Sequence, residues 1–331
     1  MKAIFVNDNA PMVARVYAER QRQRLTGLVE ICPQRVYGGE DIRQADLRGV
    51  EVAFSTWGMP ALSAEEIGRC LPDLKELYYA AGSVQGFARP FLERGVRVFS
   101  AWQANAVPVA RYAAAQILLA VKGFFRVQPA CRYSRQAAHE LFSHYPGSYE
   151  VRVGLLGCGA IGRRVAELLA GMDMEIVVFD PFLSEEQARA LGVRKASLEE
   201  VFATCEVVSN HLANLPATVG IIRREHLLSM RPYSTFINTG RGPQLDERDL
   251  FDMLTLDPTR TALLDVLTDE GESVKKPLNQ LENCLITPHI AGSSGQEVRR
   301  MADYMFDAFE AVRAGQPSSY EVTMDMLERM A

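Results

Sequence analysis

The sequence has few features of an extracellular, membrane-bound or metal-dependent protein. Its six cysteines are scattered singly through 331 residues, without a Cys-x-x-Cys pair. Disulfide-rich domains and structural zinc sites both need grouped cysteines, so we expect reduced thiols and no bound metal. No apolar run approaches the ~20 residues of a membrane-spanning helix, and no basic segment followed by an apolar one suggests a signal peptide. We therefore expect a cytoplasmic protein without a membrane partner.

The chain also lacks a surplus of basic residues. Lys and Arg number 36 against 41 Asp and Glu, which gives a formal net charge of -5. Because nucleic acids and anionic membranes are bound through basic patches, we expect neither as a partner. Hydrophobic residues make up 48% of the chain. That composition is typical of a soluble globular protein, and the length suits about two domains.

The most informative segment is a glycine-rich turn after an apolar run at residues 151–156. In a G-x-G-x-x-G pattern the first glycine permits a tight turn, the second lets the backbone approach a pyrophosphate, and the third lets the next helix pack against the strand. The N–H groups at that helix start also favour a phosphate. The pattern predicts a dinucleotide-binding strand, turn and helix. The residues expected to contact the cofactor are Gly157, Gly159, Ala160, Ile161 and Gly162.

The next predicted strand, at residues 175–179, ends in an acidic residue that indicates which dinucleotide binds. Asp180 stands at this strand end. A carboxylate here can hydrogen-bond the ribose 2′-hydroxyl of NAD, whereas it repels the 2′-phosphate of NADP. We therefore expect NAD(H) as the cofactor and NADP as a poorer ligand.

The first hundred residues alternate short apolar runs with helical stretches, which is typical of a separate βα domain. Ligands bind at the carboxyl ends of parallel strands. The loops that follow the predicted strands at 52–54 and 77–80 therefore nominate Trp57, Gly82 and Ser83 as substrate-side residues.

A helix predicted over residues 107–121 is apolar nearly all round, with Pro108 in its first turn. Such a helix is normally buried, and we expect it to bury surface against a second subunit and form a homodimer. We interpret the following residues 126–149 as a polar connector.

From residue 151 onward strands and helices alternate, and polar residues follow the strand ends. In a doubly wound parallel sheet those ends share one crevice, where these residues should converge. Reduction of a 2-keto acid needs a cation for the carboxylate and a proton donor, roles that suit Arg241 and His289. An acid beside the imidazole would orient it, and either Asp269 or Glu270 can do so. The residues at the strand ends are Gly157, Asp180, His211, Arg241, Asp265 and His289, with His211 on the cofactor side.

The motifs together resemble those of the D-isomer-specific 2-hydroxyacid dehydrogenase family, which includes phosphoglycerate dehydrogenase and glyoxylate/hydroxypyruvate reductase. They occur in the order and spacing of that family, weakly before residue 80 and strongly after residue 151. The matching segments are 156–162 with Asp180-Pro181, 209–212 (Ser-Asn-His-Leu), 238–242 (Asn-Thr-Gly-Arg-Gly), 264–266 (Leu-Asp-Val) with Glu270, and 287–292 (Thr-Pro-His-Ile-Ala-Gly).

The resemblance implies an α/β fold of two Rossmann-like or flavodoxin-like domains, with doubly wound parallel sheets and a cleft between them. Residues 1–103 with 293–331 would form the discontinuous substrate domain, and residues 104–292 the NAD-binding domain. The family pattern also implies Arg241 as the carboxylate binder, His289 as the acid/base and Glu270 as its partner. Thr239 and Asp265 would lie near the nicotinamide.

Some residues depart from the family pattern. Gly271 follows Glu270 where the family usually has proline, and Arg111 follows Ala110 where it usually has an acid. Asn210 stands in place of the usual leucine before His211. These departures bear on substrate specificity and subunit contacts more than on the chemistry.

The sequence thus predicts an NAD-dependent oxidoreductase that interconverts a small 2-keto acid and a D-2-hydroxy acid. One alternative is an NAD(H)-sensing interaction protein resembling the C-terminal-binding corepressors, which keep this fold but act through partners. Another is phosphoglycerate dehydrogenase proper, for which we find no clear basic cluster that would bind the phosphate.

Overall fold

The computed structural model describes residues 1–271 and 277–327, apart from the side chains of residues 32–34. The chain divides into two compact units. The first contains Met1–Asn105 and Ser293–Ala331, and the second contains Ala106–Gly292.

Strands and helices alternate through most of the described residues. The strands are β1 (Lys2–Val6), β2 (Glu30–Tyr37), β3 (Val50–Ser55), β4 (Glu76–Tyr79), β5 (Arg97–Ser100), β6 (Val151–Leu156), β7 (Met174–Phe179), β8 (Arg194–Lys195), β9 (Val207–Asn210), β10 (Thr235–Asn238), β11 (Thr261–Leu264), β12 (Cys284–Ile286) and β13 (Glu321–Val322). The helices are α1 (Ala10–Val16), α2 (Glu19–Gln23), α3 (Gly39–Gln44), α4 (Ala64–Cys70), α5 (Ala88–Glu93), α6 (Trp102–Ala120), α7 (Phe124–Ala130), α8 (Arg135–Phe142), α9 (Ala160–Leu169), α10 (Glu185–Leu191), α11 (Leu198–Thr204), α12 (Arg224–Ser229), α13 (Glu247–Leu256), α14 (Val298–Arg313) and α15 (Met324–Leu327).

The first unit is built on a sheet in the order β13-β5-β4-β3-β1-β2. The strands β1 to β5 pair in parallel, and β13 adds an antiparallel edge. Side chains alternate between the two faces, so that Ile4 and Val6 enter one hydrophobic cluster while Ala3 and Phe5 enter the other. Burial of both faces explains the continuous apolar runs at residues 3–6 of β1 and 52–54 of β3.

The second unit is built on a wholly parallel sheet in the order β12-β11-β10-β9-β6-β7-β8. Both of its faces are also covered by hydrophobic clusters. The strand order reverses between β6 and β9, and this switch point is where doubly wound folds open a ligand crevice. The prediction of an α/β fold with two parallel, doubly wound sheets is confirmed.

Helix α9 follows the glycine turn and buries one face. Val165, Ala166 and Leu169 lie in the hydrophobic cluster on one side of the second sheet. Leu169 follows Ala166 by three residues and Val165 by four, so all three side chains lie on one face of the α-helix. The packed face fixes the helix start at the end of β6.

The structure corrects two predictions about the segment that links the units. Helix α6 begins at Trp102, so Pro108 lies inside the helix and not in its first turn. Ala101 and Ala104 are fully buried in the first unit, and this burial outweighs the backbone hydrogen bond that Pro108 cannot donate. Residues 126–149 are not a plain connector, because they contain most of α7 and all of α8, which Ser134 caps by accepting from the Ala137 N–H.

The apolar residues of α6 are largely buried within their own chain. Ala110, Ala113 and Ile117 pack in a hydrophobic cluster of the second unit. Burial of this helix therefore does not by itself require a second subunit, and homodimer formation stays a prediction. No single described helix could span a membrane by its length and apolar character, although the bent pair of α6 and α7 passes that test together.

Candidate active site

The glycine turn lies at the switch point of the second sheet. Gly157 has a φ of +89°, and a Cβ atom there would lie 2.9 Å from the His211 carbonyl oxygen, so that only glycine fits. A Cβ at Gly162 would collide with the Gly157 carbonyl oxygen. A Cβ at Gly159, in contrast, would meet no protein atom within 4 Å. The turn is thus tightly packed on its protein side and open at Gly159.

The open side of the turn suits a dinucleotide phosphate. Ala160 and Ile161 form the first turn of α9, and the N-cap Gly159 provides no side chain to satisfy the free N–H groups there. Unpaired N–H groups and the positive end of the helix dipole favour an anion. The residues present therefore fit the pyrophosphate of NAD.

Asp180 lies directly beside the glycine turn. Its Oδ2 accepts a hydrogen bond of 2.6 Å from the Cys158 N–H, and its Oδ1 accepts one of 2.7 Å from the Phe182 N–H. These bonds fix the carboxylate at the end of β7 beside the turn. Asp180 remains partly exposed and can accept further hydrogen bonds from a ligand.

His211 and Thr239 are both buried and bonded to each other, so that their side chains tie β9 to β10. His211 Nε2 lies 3.0 Å from Ser209 Oγ, and its Nδ1 lies 3.2 Å from Thr239 Oγ1. Burial lowers the pKa of His211 to about 3, so the ring is neutral at pH 7. With both ring nitrogens engaged, the imidazole is a structural link, and it is the backbone of His211 that borders the glycine turn.

Asp265 anchors the loop that carries His289. Its Oδ1 accepts from the Thr287 hydroxyl at 2.6 Å and from the Ile290 N–H at 2.8 Å. Its Oδ2 accepts from the Ala291 N–H at 2.8 Å. The Tyr112 hydroxyl lies 3.2 Å from Thr287 Oγ1 and extends this chain of bonds to α6.

The imidazole of His289 is paired with Glu270. Its Nδ1 lies 3.1 Å from both carboxylate oxygens of Glu270. Asp269, the other acid considered, instead accepts a hydrogen bond of 3.0 Å from the Gly271 N–H. The geometry places Glu270 and not Asp269 beside the imidazole, while Nε2 has no partner among the described residues.

Arg241 lies partly buried after β10. Its Nη1 donates to the Gly240 carbonyl oxygen at 2.8 Å. Burial lowers the pKa of this guanidinium, and the negative charge of Glu270 acts in the opposite direction. Glu270 is thus common to both interactions, since its charge acts on Arg241 and its carboxylate pairs with His289.

Trp57, Gly82 and Ser83 lie in the first unit, after the carboxyl ends of its strands. The Trp57 carbonyl accepts from Asn7 Nδ2 at 3.0 Å, and the Gly82 carbonyl accepts from Ser100 Oγ at 2.6 Å. Ser83 is exposed. The structure therefore keeps these three residues in a different unit from Arg241, Glu270 and His289.

Sequence reasoning missed a set of buried amides next to Arg241. The motifs include Asn238 and Asn210, the latter also as a departure from the family pattern, and they do not point to Gln244. Each is at most 1% exposed. The signal in the sequence is an asparagine as the last residue of two neighbouring buried strands, β9 and β10.

Comparisons with known proteins agree with this architecture. Residues 114–291 match the family model described as D-isomer specific 2-hydroxyacid dehydrogenase, NAD binding domain. The D-3-phosphoglycerate dehydrogenase of Mycobacterium tuberculosis is 31% identical over 225 residues, which are 67% of this chain and 42% of that protein. The chain thus spans about two fifths of the length of that relative. The hydroxypyruvate reductase of Blautia hydrogenotrophica is 29% identical over 50% of this chain and 51% of its own.

Solved structures support the same fold. The apo form of D-mandelate dehydrogenase from Rhodotorula graminis superposes with a TM-score of 0.80 at 19% identity, over 97% of each chain. At that identity the likeness shows the fold alone. The family match additionally confirms NAD as the cofactor, since the matched region is an NAD-binding domain.

The glycine turn, the parallel sheet that presents it and the match over residues 114–291 together show that this chain belongs to the D-isomer specific 2-hydroxyacid dehydrogenase family.

Proposed function

We propose that this chain is an NAD-dependent oxidoreductase that interconverts a small 2-keto acid and the corresponding D-2-hydroxy acid. The observation that carries the proposal is the pairing of His289 with Glu270, whose charge also acts on Arg241. This cluster lies in the unit that carries the NAD-binding turn. A cation, a proton-transferring imidazole and its orienting acid are the groups that this reaction needs.

Each member of the cluster has a distinct role in this proposal. The guanidinium of Arg241 binds the substrate carboxylate through two N–H groups. His289 Nε2, which is not engaged by Glu270, gives a proton to the keto oxygen during reduction and takes one during oxidation. Glu270 orients the ring through the contact of its carboxylate with Nδ1. The bound nicotinamide supplies or accepts the hydride.

The burial of Arg241 supports its role as the carboxylate binder. A partly buried guanidinium has lost part of its hydration, which is why burial lowers its pKa. A carboxylate that pairs with it replaces that lost hydration with charge-assisted hydrogen bonds. An anionic substrate group is therefore favoured here over a neutral one.

We further propose that residues 1–103 with 293–331 form the substrate domain and residues 104–292 the cofactor domain. Trp57, Gly82 and Ser83 are the candidate substrate contacts of the first, since they follow the carboxyl ends of β3 and β4. Gly157, Gly159, Ala160, Ile161, Gly162, Asp180, His211, Thr239 and Asp265 are the cofactor-side residues of the second. For His211 the contact would come from its backbone.

We also propose that the protein is a cytoplasmic homodimer, with the segment 107–121 in the interface. Support for an interface comes from apolar side chains that the described chain leaves exposed on α6 to α8: Leu119, Phe124 and Phe142 are at least 39% exposed. Exposed apolar side chains that form one patch mark contact surfaces, and the proposal takes these three to belong to such a patch.

The relatives favour one further candidate, the oxidation of 3-phosphoglycerate. This candidate rests on the name of the D-3-phosphoglycerate dehydrogenase relatives. A nucleotide-sensing interaction protein is the alternative from another class, and it would bind NADH without turnover.

A direct test is a spectrophotometric screen of 2-keto acids with NADH. We expect NADH oxidation with at least one of glyoxylate, hydroxypyruvate, pyruvate, phenylpyruvate, 2-ketoisocaproate and 3-phosphohydroxypyruvate. NADPH, run in parallel, should support a much lower rate. Binding of NADH without oxidation against any of these acids would contradict the proposed activity and favour the interaction protein.

Substitution of Arg241 and His289 should separate binding from chemistry. Arg241→Gln removes charge-assisted hydrogen bonds to the carboxylate, so KM for the keto acid should rise about 100-fold. His289→Gln removes the proton donor, and kcat should fall by about 100-fold or more. Steady-state kinetics measures both effects.

Arg248→Gln and His139→Gln, on exposed faces of α13 and α8, are the matched controls and should behave like the wild type. Equal effects on KM and kcat in the two site variants would argue against the assigned roles.

Separate replacement of the two neighbouring acids should identify the partner of His289. Glu270→Gln removes the carboxylate that orients the imidazole through Nδ1, so we expect kcat to fall roughly 10- to 100-fold. Asp269→Asn, which alters only a turn, should leave kcat close to wild type. The reverse pattern would assign the role to Asp269.

A further inference from the structure

Three buried amide side chains form a network beside Arg241. Asn210 and Asn238 end the neighbouring strands β9 and β10, and Gln244 lies in the turn after Arg241. Asn210 Nδ2 donates to Asn238 Oδ1 at 3.0 Å and to Gln244 Oε1 at 2.6 Å. Asn210 is thus the link between the other two.

The network holds the main chain on both sides of the Arg241 Cα atom. Gln244 Oε1 accepts from the Arg241 N–H at 3.1 Å, and Asn238 Nδ2 donates to the Arg241 carbonyl oxygen at 3.3 Å. Asn238 Oδ1 also accepts from the Gly240 N–H at 3.0 Å. The direction in which the Arg241 side chain leaves the backbone is therefore set by these amides.

The same network reaches the loop after β9. Gln244 Nε2 donates to the carbonyl oxygens of Leu212 and Ala213, both at 3.0 Å. Asn210 Oδ1 accepts from the Leu212 N–H at 3.2 Å. This loop borders Gly157, because a Cβ there would lie 3.1 Å from the Leu212 Cα atom. The main chain of Arg241 is thus connected to the wall of the glycine turn.

Every polar group of the Asn210 and Gln244 side chains has a hydrogen-bond partner. Asn210 and Gln244 each use both amide N–H groups, and each carbonyl oxygen accepts at least one bond. Fully satisfied buried networks make a region rigid, whereas removal of one member leaves a buried N–H or C=O without a partner. Gly240 is part of the arrangement, since a Cβ there would lie 2.8 Å from Gln244 Oε1.

We propose that Asn210 and Gln244 are positioning residues for Arg241: they fix its backbone relative to the glycine turn and so preorganise the guanidinium for the substrate carboxylate. This rests on the proposed function, in which Arg241 binds that carboxylate. Neither side chain needs to touch substrate, because both are fully buried. Both residues act on the position of the Arg241 guanidinium in the enzyme without substrate.

The test compares Asn210→Leu and Gln244→Leu with wild type in the full-length chain. Gln244→Leu removes the acceptor of the Arg241 N–H, so amide hydrogen exchange at Arg241 should speed up about tenfold. Asn210→Leu removes the donor that holds Asn238 Oδ1 and Gln244 Oε1 in place, and these oxygens accept from the Gly240 and Arg241 N–H groups, so exchange at both amides should speed up about tenfold. The KM for the keto acid best reduced by the wild type should rise about tenfold, while the Kd for NADH stays within about threefold. Gln244→Asn, one methylene shorter, serves the same purpose if leucine prevents folding.

Asn283→Leu is the matched control. Asn283 is an equally buried amide that donates to the Leu254 and Arg260 carbonyl oxygens, and it precedes β12 at the opposite end of the sheet. The variant Asn283→Leu should have a lower melting temperature than the wild type and an unchanged KM for the keto acid. Unchanged exchange at Gly240 and Arg241, or an equal rise in KM in the control, would overturn the inference. If the wild type reduces no keto acid, the proposed function fails and this inference with it; an active wild type with normal variants overturns the inference alone.

Discussion

The close approach of the turn at Gly157 to the backbone of His211 is the constraint on which the rest of the site depends. Gly157 follows β6 and His211 follows β9. These two parallel strands are neighbours, and the switch point of the sheet lies between them. A side chain at Gly157 would force these strand ends apart, and one at Gly162 would push α9 away from the turn. With glycine at both positions, the helix start lies at the end of β6 and its free N–H groups face outward.

Around this turn, some polar side chains fix the loops and strand ends of the site, and others are available to bind a ligand. Asp265 uses both carboxylate oxygens to anchor the loop of His289, and the ring of His211 joins β9 to β10. Arg241, Glu270 and His289 lie on these loops and strand ends, and the imidazole Nε2 has no partner among the described residues. Rigid supports of this kind let charged groups keep a productive geometry without reorganisation during the reaction.

The sequence predicted the features that depend on local chain chemistry. Alternating strands and helices, the glycine turn and the polar residues at strand ends all follow from backbone rules that each segment obeys by itself, and they predict a doubly wound parallel sheet. The arrangement as two Rossmann-like domains comes from the resemblance to the family. The sequence is less informative about helix boundaries. The start of α6 before Pro108 depends on the burial of Ala104. The polar residues and prolines of residues 126–149 predict a connector, yet α7 forms there without any buried side chain and α8 begins at the local cap of Ser134. The amide network was missed because hydrogen bonds between Asn210, Asn238 and Gln244 join segments that only the folded sheet brings together.

If the open side of the glycine turn receives the pyrophosphate of NAD, the affinity of Gly159→Ala for NADH reports on it directly. An added methyl group meets no protein atom within 4 Å, so the melting temperature should be unchanged. The same methyl group would obstruct a phosphate that approaches the backbone, and calorimetry should give a Kd for NADH at least about tenfold higher than that of the wild type. Gly86→Ala, which likewise meets no protein atom but lies in the first unit, should change neither quantity. A wild-type affinity for NADH in Gly159→Ala would contradict the account.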